Sequence, residues 1–170
     1  MKPSFEFELR FLEVPLEDLI PTLRSKGAVQ IFSGQVESMV YKQPSLPGSW
    51  LRIRKENGTM MATMKKRLDD ETFREDSFEV RNLTSTQKVY EEKGWRLARQ
   101  TSKHRASYIL NDIRYDFDIF AMLPPYLEIE GPSKKAVHDG AAMLGLDPAK
   151  AFTGDSIFSY YRLGNARLIK

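Results

Sequence analysis

The sequence predicts an α+β fold in which about eight antiparallel strands close into a barrel with a charged interior and helices packed outside. Charged residues share a strand face in seven runs: Glu6/Glu8/Arg10, Arg52/Arg54, Lys65/Arg67, Glu75/Glu79, Lys103/Arg105, Asp116/Asp118 and Glu128/Glu130. Apolar residues alternate with several of them, as in Phe5, Phe7, Leu9 and Phe11, and again in Leu127 and Ile129. Side chains alternate faces along a strand, so each run has one apolar and one charged face. Short hairpin connections, with few helices interposed, argue against alternating βαβ units. About eight strands can close around one small ligand, and closure removes exposed edges. With the charged faces inside, the helices must cover the apolar faces.

The elements follow in order. A first strand spans about residues 4–12, and Pro15 opens a helix running to Lys26-Gly27, where glycine suits a C-cap. Pro21 lies inside that helix and is a site for shortening or a kink. A strand over 28–42 ends at the turn Pro44-Ser45-Leu46-Pro47-Gly48. Strands 49–56 and 59–68 flank Asn57-Gly58, a tight-hairpin signal. A strand over 73–81 precedes a short helix capped by Thr84 or Ser85 and ending at Lys93-Gly94. Strands at 95–110 and 112–121 turn at Asn111-Asp112, and a last strand spans 126–131. Ser133 starts a helix that stops at Gly145, and the remainder reads as helical with an irregular stretch near Thr153-Gly154.

With 170 residues and no repeats or linkers, residues 1–170 read as a single domain. The absence of cysteine excludes disulfides, thiolate zinc sites and cysteine nucleophiles. No segment has the apolar length of a membrane span, and Met1-Lys2-Pro3-Ser4-Phe5-Glu6 lacks signal-peptide character, so no membrane association and a cytoplasmic location are expected. The net charge of +3, from 26 basic and 23 acidic residues, is too mild for a nucleic-acid binder. A monomer or homodimer is expected.

The placement of the charges carries more than their sum. Carboxylates at alternate positions, as in Glu6/Glu8 and Glu128/Glu130, suit hard divalent cations. Like charges on neighbouring strands repel, and a bound cation removes that penalty. The basic pairs Arg52/Arg54, Lys65/Arg67 and Lys103/Arg105 suit phosphate, gripped at two points by arginine and as a point charge by lysine. Any one run also reads as a solvated strand face; the ordered set points to an anionic ligand with metal. His104 and His138 lack ligand spacing, and Trp50, Trp95, Tyr160 and Tyr161 read as packing residues. Ser33-Gly34 and Pro47-Gly48-Ser49 read as turns, and no P-loop is present.

At these residues the sequence resembles the CYTH superfamily, the triphosphate tunnel metalloenzymes, and most closely its class IV adenylyl cyclase and thiamine triphosphatase-like branch. Glu6-Phe7-Glu8-Leu9-Arg10 looks like the family's ExExK strand, and Trp50-Leu51-Arg52-Ile53-Arg54 its RxR strand. Ala62-Thr63-Met64-Lys65 resembles the TxK strand and Lys103-His104-Arg105 the KxR strand. Asp116-Phe117-Asp118 and Tyr126-Leu127-Glu128-Ile129-Glu130-Gly131 resemble the late aspartate and ExE strands.

The resemblance implies an eight-stranded triphosphate tunnel with one or two Mg²⁺ or Mn²⁺ ions. Glu6, Glu8, Asp118, Glu128 and Glu130 would hold metal, with Glu79 chosen as the inward acid of the fifth strand and Glu75 possible in its place. Arg10, Arg52, Arg54, Lys65, Arg67, Lys103 and Arg105 would bind substrate, and Glu8, Glu130 and Lys65 would be catalytic. Arg10 departs from the family's lysine, and no His-Phe pair precedes the first motif. The expected activity is metal-dependent hydrolysis of inorganic triphosphate or an organic triphosphate such as thiamine triphosphate or a nucleotide. The alternatives are a class IV adenylyl cyclase forming cyclic AMP and pyrophosphate, and a non-catalytic nucleotide or polyphosphate-binding module.

Overall fold

A computed structural model describes residues 4–154 and 156–163. Eight strands form a closed antiparallel barrel: β1 (Ser4–Leu12), β2 (Val29–Lys42), β3 (Ser49–Glu56), β4 (Thr59–Arg67), β5 (Thr72–Glu79), β6 (Arg96–Leu110), β7 (Ile113–Ile119) and β8 (Tyr126–Gly131). Around the barrel the order is β1-β5-β4-β3-β2-β6-β7-β8. β1 closes the ring, pairing with β5 at Glu6↔Phe73 and with β8 at Glu8↔Glu130. The expected barrel is therefore present, and all eight strands form within one to two residues of their expected ends.

Turn chemistry sets the hairpins. Asn57 and Gly58 have φ of 50° and 78°, and Asn111 and Asp112 have 50° and 62°. Positive φ at both central residues is the turn whose twist matches paired strands. Ser33-Gly34, expected as a turn, instead lies within β2, paired to Ala106 and Arg105. The reason is that β2 pairs with β6 in unbroken register from Phe32 to Val40, and that ladder absorbs the glycine.

The outward face of the barrel is apolar and helices cover it. Helix α1 (Leu16–Ser25) follows Pro15 and retains Pro21 inside it, burying Leu19 and Leu23. Helix α3 (Lys134–Met143) is capped by Ser133 and buries Val137 and Ala141. Both pack on Leu9, Phe11, Tyr115, Phe117, Leu127 and Ile129. Helix α2 (Leu83–Glu92) covers the opposite side, over Tyr41, Leu51, Ile53 and Ala62. Its cap is Asn82, which accepts from the Ser85 amide at 2.9 Å, not Thr84 or Ser85. After Gly145 come a 3₁₀ turn (Pro148–Lys150) and a short helix α4 (Ile157–Tyr160), less helix than expected. Residues 164–170 lie outside the described residues. No helix among the described residues is long and apolar enough to cross a membrane.

Candidate active site

With the apolar face turned out, each strand contributes its alternate residues to the interior. Register puts Arg52 opposite Thr63, Lys65 opposite Glu75, Arg105 opposite Asp118, and Asp116 opposite Glu128. A cavity of about 620 Å³ lies inside the barrel, lined among others by Glu8, Arg10, Arg52, Lys65, Arg105 and Glu128. It widens at the end where β3 begins, with Trp50, Phe73, Phe120 and Phe158 around it. At the opposite end, beside the Asn57-Gly58 turn, a second cavity of about 280 Å³ is lined by Arg54, Glu56, Met61 and Arg114. Arg54 lines both.

Most interior cations are already held by carboxylates. Lys65, only 3% exposed, sits among Glu6 at 2.7 Å, Glu8 at 2.9 Å and Glu75 at 3.0 Å. Its Nζ also lies 4.4 Å from the Phe73 ring centroid. Arg10 bridges Glu8 at 2.6 Å and Glu128 at 2.7 Å. Arg105, 1% exposed, donates to Asp118 at two points, to Asp116, and to Glu128 at 2.9 Å. Lys103 reaches Asp118 at 2.5 Å and the Tyr126 hydroxyl at 3.0 Å. Arg52 is an exception, as is Arg99: among the described residues neither has an ion pair, and both line the larger cavity.

These pairings decide the protonation states. Burial pushes the Glu8 carboxyl up, but Lys65 and Arg10 outweigh burial and hold it below its ordinary value. Glu128 lies well below its ordinary value because Arg10, Lys103 and Arg105 together overcome its desolvation. Glu130 has no ion pair among the described residues. Burial, and then the negative charges of Glu6, Asp116 and Glu8, push its pKa up to about 8, against a smaller opposing effect of Lys65.

Glu130 is also where two acidic groups meet. Glu6, Glu8 and Glu130 offer oxygens within 4.8 Å of one another, and so do Asp116, Glu128 and Glu130. The donor sets are all carboxylate, the preference of hard divalent cations, and Glu130 has no ion-pair partner among the described residues. The residues present therefore fit a divalent metal.

The structure brings Glu6, Glu8, Glu128 and Glu130 together and places two expected metal ligands elsewhere. Asp118 is in neither group: register sets it opposite Arg105 and Tyr126, where it pairs with Arg105 and Lys103. Asp116, two residues earlier on the same face, joins the group instead, since register sets it opposite Glu128. Glu79 is exposed at the far end of β5, opposite Met61. Glu75 is the acid of that strand that reaches the centre, at Lys65. Arg67 lies at the wide end, donating to the Thr153 carbonyl at 2.8 Å.

Three lining residues went unnoticed as site residues. Trp50, read as packing, lines the wide end and meets Phe73 edge-on at 6.0 Å. Its position two residues before Arg52 on a strand was the available signal. Arg99, four residues before Lys103, lines the same end, donates to Ser156 at 3.0 Å and lies 4.2 Å from the Phe158 ring centroid. Arg114, two residues before Asp116, faces the second cavity.

The CYTH domain family matches residues 38–150. A comparison with curated proteins finds no significant match. Among solved structures, a Pyrococcus horikoshii protein is 26% identical with a TM-score of 0.77, over 88% of this chain and 95% of that one. A Vibrio parahaemolyticus protein described as an adenylate cyclase candidate is 15% identical with a TM-score of 0.77, over 94% and 98% of the two chains. A Hippeastrum protein described as an adenylyl cyclase candidate with a dominant triphosphatase activity is 16% identical with a TM-score of 0.56, over 93% and 94%. The latter two likenesses are of fold alone.

Proposed function

The chain belongs to the CYTH domain family, and on that premise we propose that it hydrolyses a triphosphate inside the barrel with Mg²⁺ or Mn²⁺. The observation that carries this reading is the pairing of two interior features. Glu130, which has no ion pair among the described residues, groups with Glu8 and with Glu128, and those two acids line the same cavity as Arg52. A pure anion-binding module has no use for acids facing its ligand, since they repel it.

Glu6, Glu8 and Glu130 would hold one ion, and Asp116, Glu128 and Glu130 would offer a second position. A bound divalent cation screens phosphate charge and lowers the pKa of water. Arg52 and Arg54 hold phosphate oxygens on the opposite wall, donating from two adjacent inward positions of β3. Lys65 lies between the walls and offsets charge that develops on the transferred phosphoryl group. Arg10 and Arg105 keep Glu8 and Glu128 ionised and oriented. In the overall reaction water adds to the terminal phosphorus as its bridging P–O bond breaks. The bond electrons leave with the diphosphate-bearing product, and orthophosphate is the other product.

The aromatic wide end favours an organic triphosphate, with the organic group near Trp50 and Phe158 and the phosphates directed inward. That same feature supports a second reading, cyclisation of ATP, in which the ribose 3′-hydroxyl replaces water and pyrophosphate leaves. A product assay separates them: tripolyphosphate, thiamine triphosphate and ATP are each incubated with Mg²⁺ and with Mn²⁺. Orthophosphate release supports hydrolysis. Cyclic AMP with pyrophosphate overturns it, and no turnover of any of the three leaves binding alone.

A further inference from the structure

The second cavity is built around an internal anion. Glu56, at the end of β3, places Oε2 3.4 Å from Arg54 Nε and Oε1 3.9 Å from an Arg114 amino nitrogen. The two contacts are loose: Glu56 Oε2 is buried and makes no hydrogen bond. One carboxylate thus spans two guanidinium groups without satisfying either. Arg114 has other support, donating to Asp116 at 2.9 Å and Ser107 at 3.2 Å, so it is held in place whatever Glu56 does. Among the described residues Arg54 has no ion pair beyond Glu56, and it lies near Arg52, Arg105 and Arg114, an excess of positive charge. Glu56 adjoins the exposed turn residue Asn57, so its side chain has solvent to move into.

We propose that this far cavity is an orthophosphate site, in which phosphate displaces the Glu56 carboxylate and is gripped by Arg54 and Arg114. Phosphate offers tetrahedral oxygens and more charge than a carboxylate, which suits two guanidinium forks facing one point. Arg54 lines both cavities, so its guanidinium is the step by which phosphate passes from the tunnel centre to the far opening. The apolar Phe32 and Met61 complete the wall without offering a competing charge. As the exit of a cleaved terminal phosphate this site rests on the hydrolytic reading; as a phosphate site it does not. It separates the two products, one leaving towards Trp50 and the other past Glu56.

The test uses orthophosphate alone as probe, titrated calorimetrically into the metal-free full chain with EDTA at constant ionic strength. Glu56→Gln is expected to tighten phosphate binding several-fold and Arg114→Gln to weaken it by about tenfold, the value of one charge-assisted contact. The gain in the Glu56 variant cannot come from misfolding. Equal affinity in all three proteins overturns the proposal. So does loss of binding in Arg52→Gln with none in Arg114→Gln, which places phosphate in the larger cavity. Tripolyphosphate turnover is measured alongside. Turnover without the phosphate-binding pattern removes the far site and leaves the function standing. The binding pattern without turnover of any triphosphate removes the function and leaves the site.

Discussion

Arg105 and Asp118 form a two-point contact at the tunnel wall, with Nε to Oδ1 at 2.7 Å and a terminal nitrogen to Oδ2 at 2.6 Å. Asp118 is 0% exposed and Arg105 1%, so neither charge has access to water. Removing Asp118 leaves Arg105 with Asp116 and Glu128 but leaves Lys103 with no ion pair among the described residues, and stranding a charge in a buried network costs about 3–5 kcal/mol. Asp118→Ala is therefore expected to lower the urea midpoint sharply while leaving the number of bound Mn²⁺ ions unchanged. Asp116→Asn is expected to lower Mn²⁺ affinity instead. Loss of Mn²⁺ binding in a stable Asp118 variant would return Asp118 to the metal site.

Asp116 and Asp118 also mark where the sequence stopped being informative. Alternation of charge and apolar residues placed both on one face, and with it the barrel, its inward charges and its helical cover. Choosing between them needs the offset of β7 against β8 and β6, which sets Asp116 opposite Glu128 and Asp118 beside Arg105. Local spacing does not encode that offset. The same holds on β5, where Glu75, Ser77 and Glu79 share a face and only register puts Glu75 at Lys65. Trp50 was visible as an inward residue by parity with Arg52, yet nothing in the sequence says that a strand end opens onto a cavity.

Glu130 makes metal binding depend on pH. Its pKa is raised from 4.5 in an unfolded chain to about 8. The folded metal-free protein therefore holds a proton that the unfolded chain has lost, and this contribution to stability falls as pH rises from about 4.5 to 8. A divalent ion must expel that proton, so apparent Mg²⁺ affinity is expected to rise roughly tenfold per pH unit between about pH 6 and 8. Glu130→Gln should flatten the stability profile across that window and abolish the stabilisation by Mg²⁺. Thermal melts at pH 6 and pH 8, with and without the ion, check this; equal Mg²⁺ shifts at both would sink it.

Trp50 should separate organic from inorganic substrates. Its ring lines the wide end against Phe73 and belongs to neither carboxylate group, so it is placed to reach an organic group. Stacking on an aromatic side chain is worth about 1–3 kcal/mol. Trp50→Ala is expected to raise KM for the preferred organic triphosphate by about tenfold or more while leaving tripolyphosphate hydrolysis within about twofold. Equal losses on both substrates would mean that Trp50 acts through the fold.

Lys65 is expected to have opposite effects on metal affinity and on turnover. In the metal-free protein its ammonium occupies the centre of Glu6, Glu8 and Glu75, at 2.7–3.0 Å, and so competes with a metal for two of the same carboxylates. Lys65→Met removes a unit charge at that distance without leaving a hole. Mn²⁺ affinity should then rise, on the order of tenfold, because among the described residues Arg10 at Glu8 is the only other cation paired with those acids. Turnover should fall by orders of magnitude, because the cation that offsets charge on the phosphoryl group is gone. The metal-free variant should also melt lower than the parent, and saturating Mn²⁺ should restore most of the difference. Weaker Mn²⁺ binding in Lys65→Met would mean that the lysine organises the acids for the metal and does not compete with it.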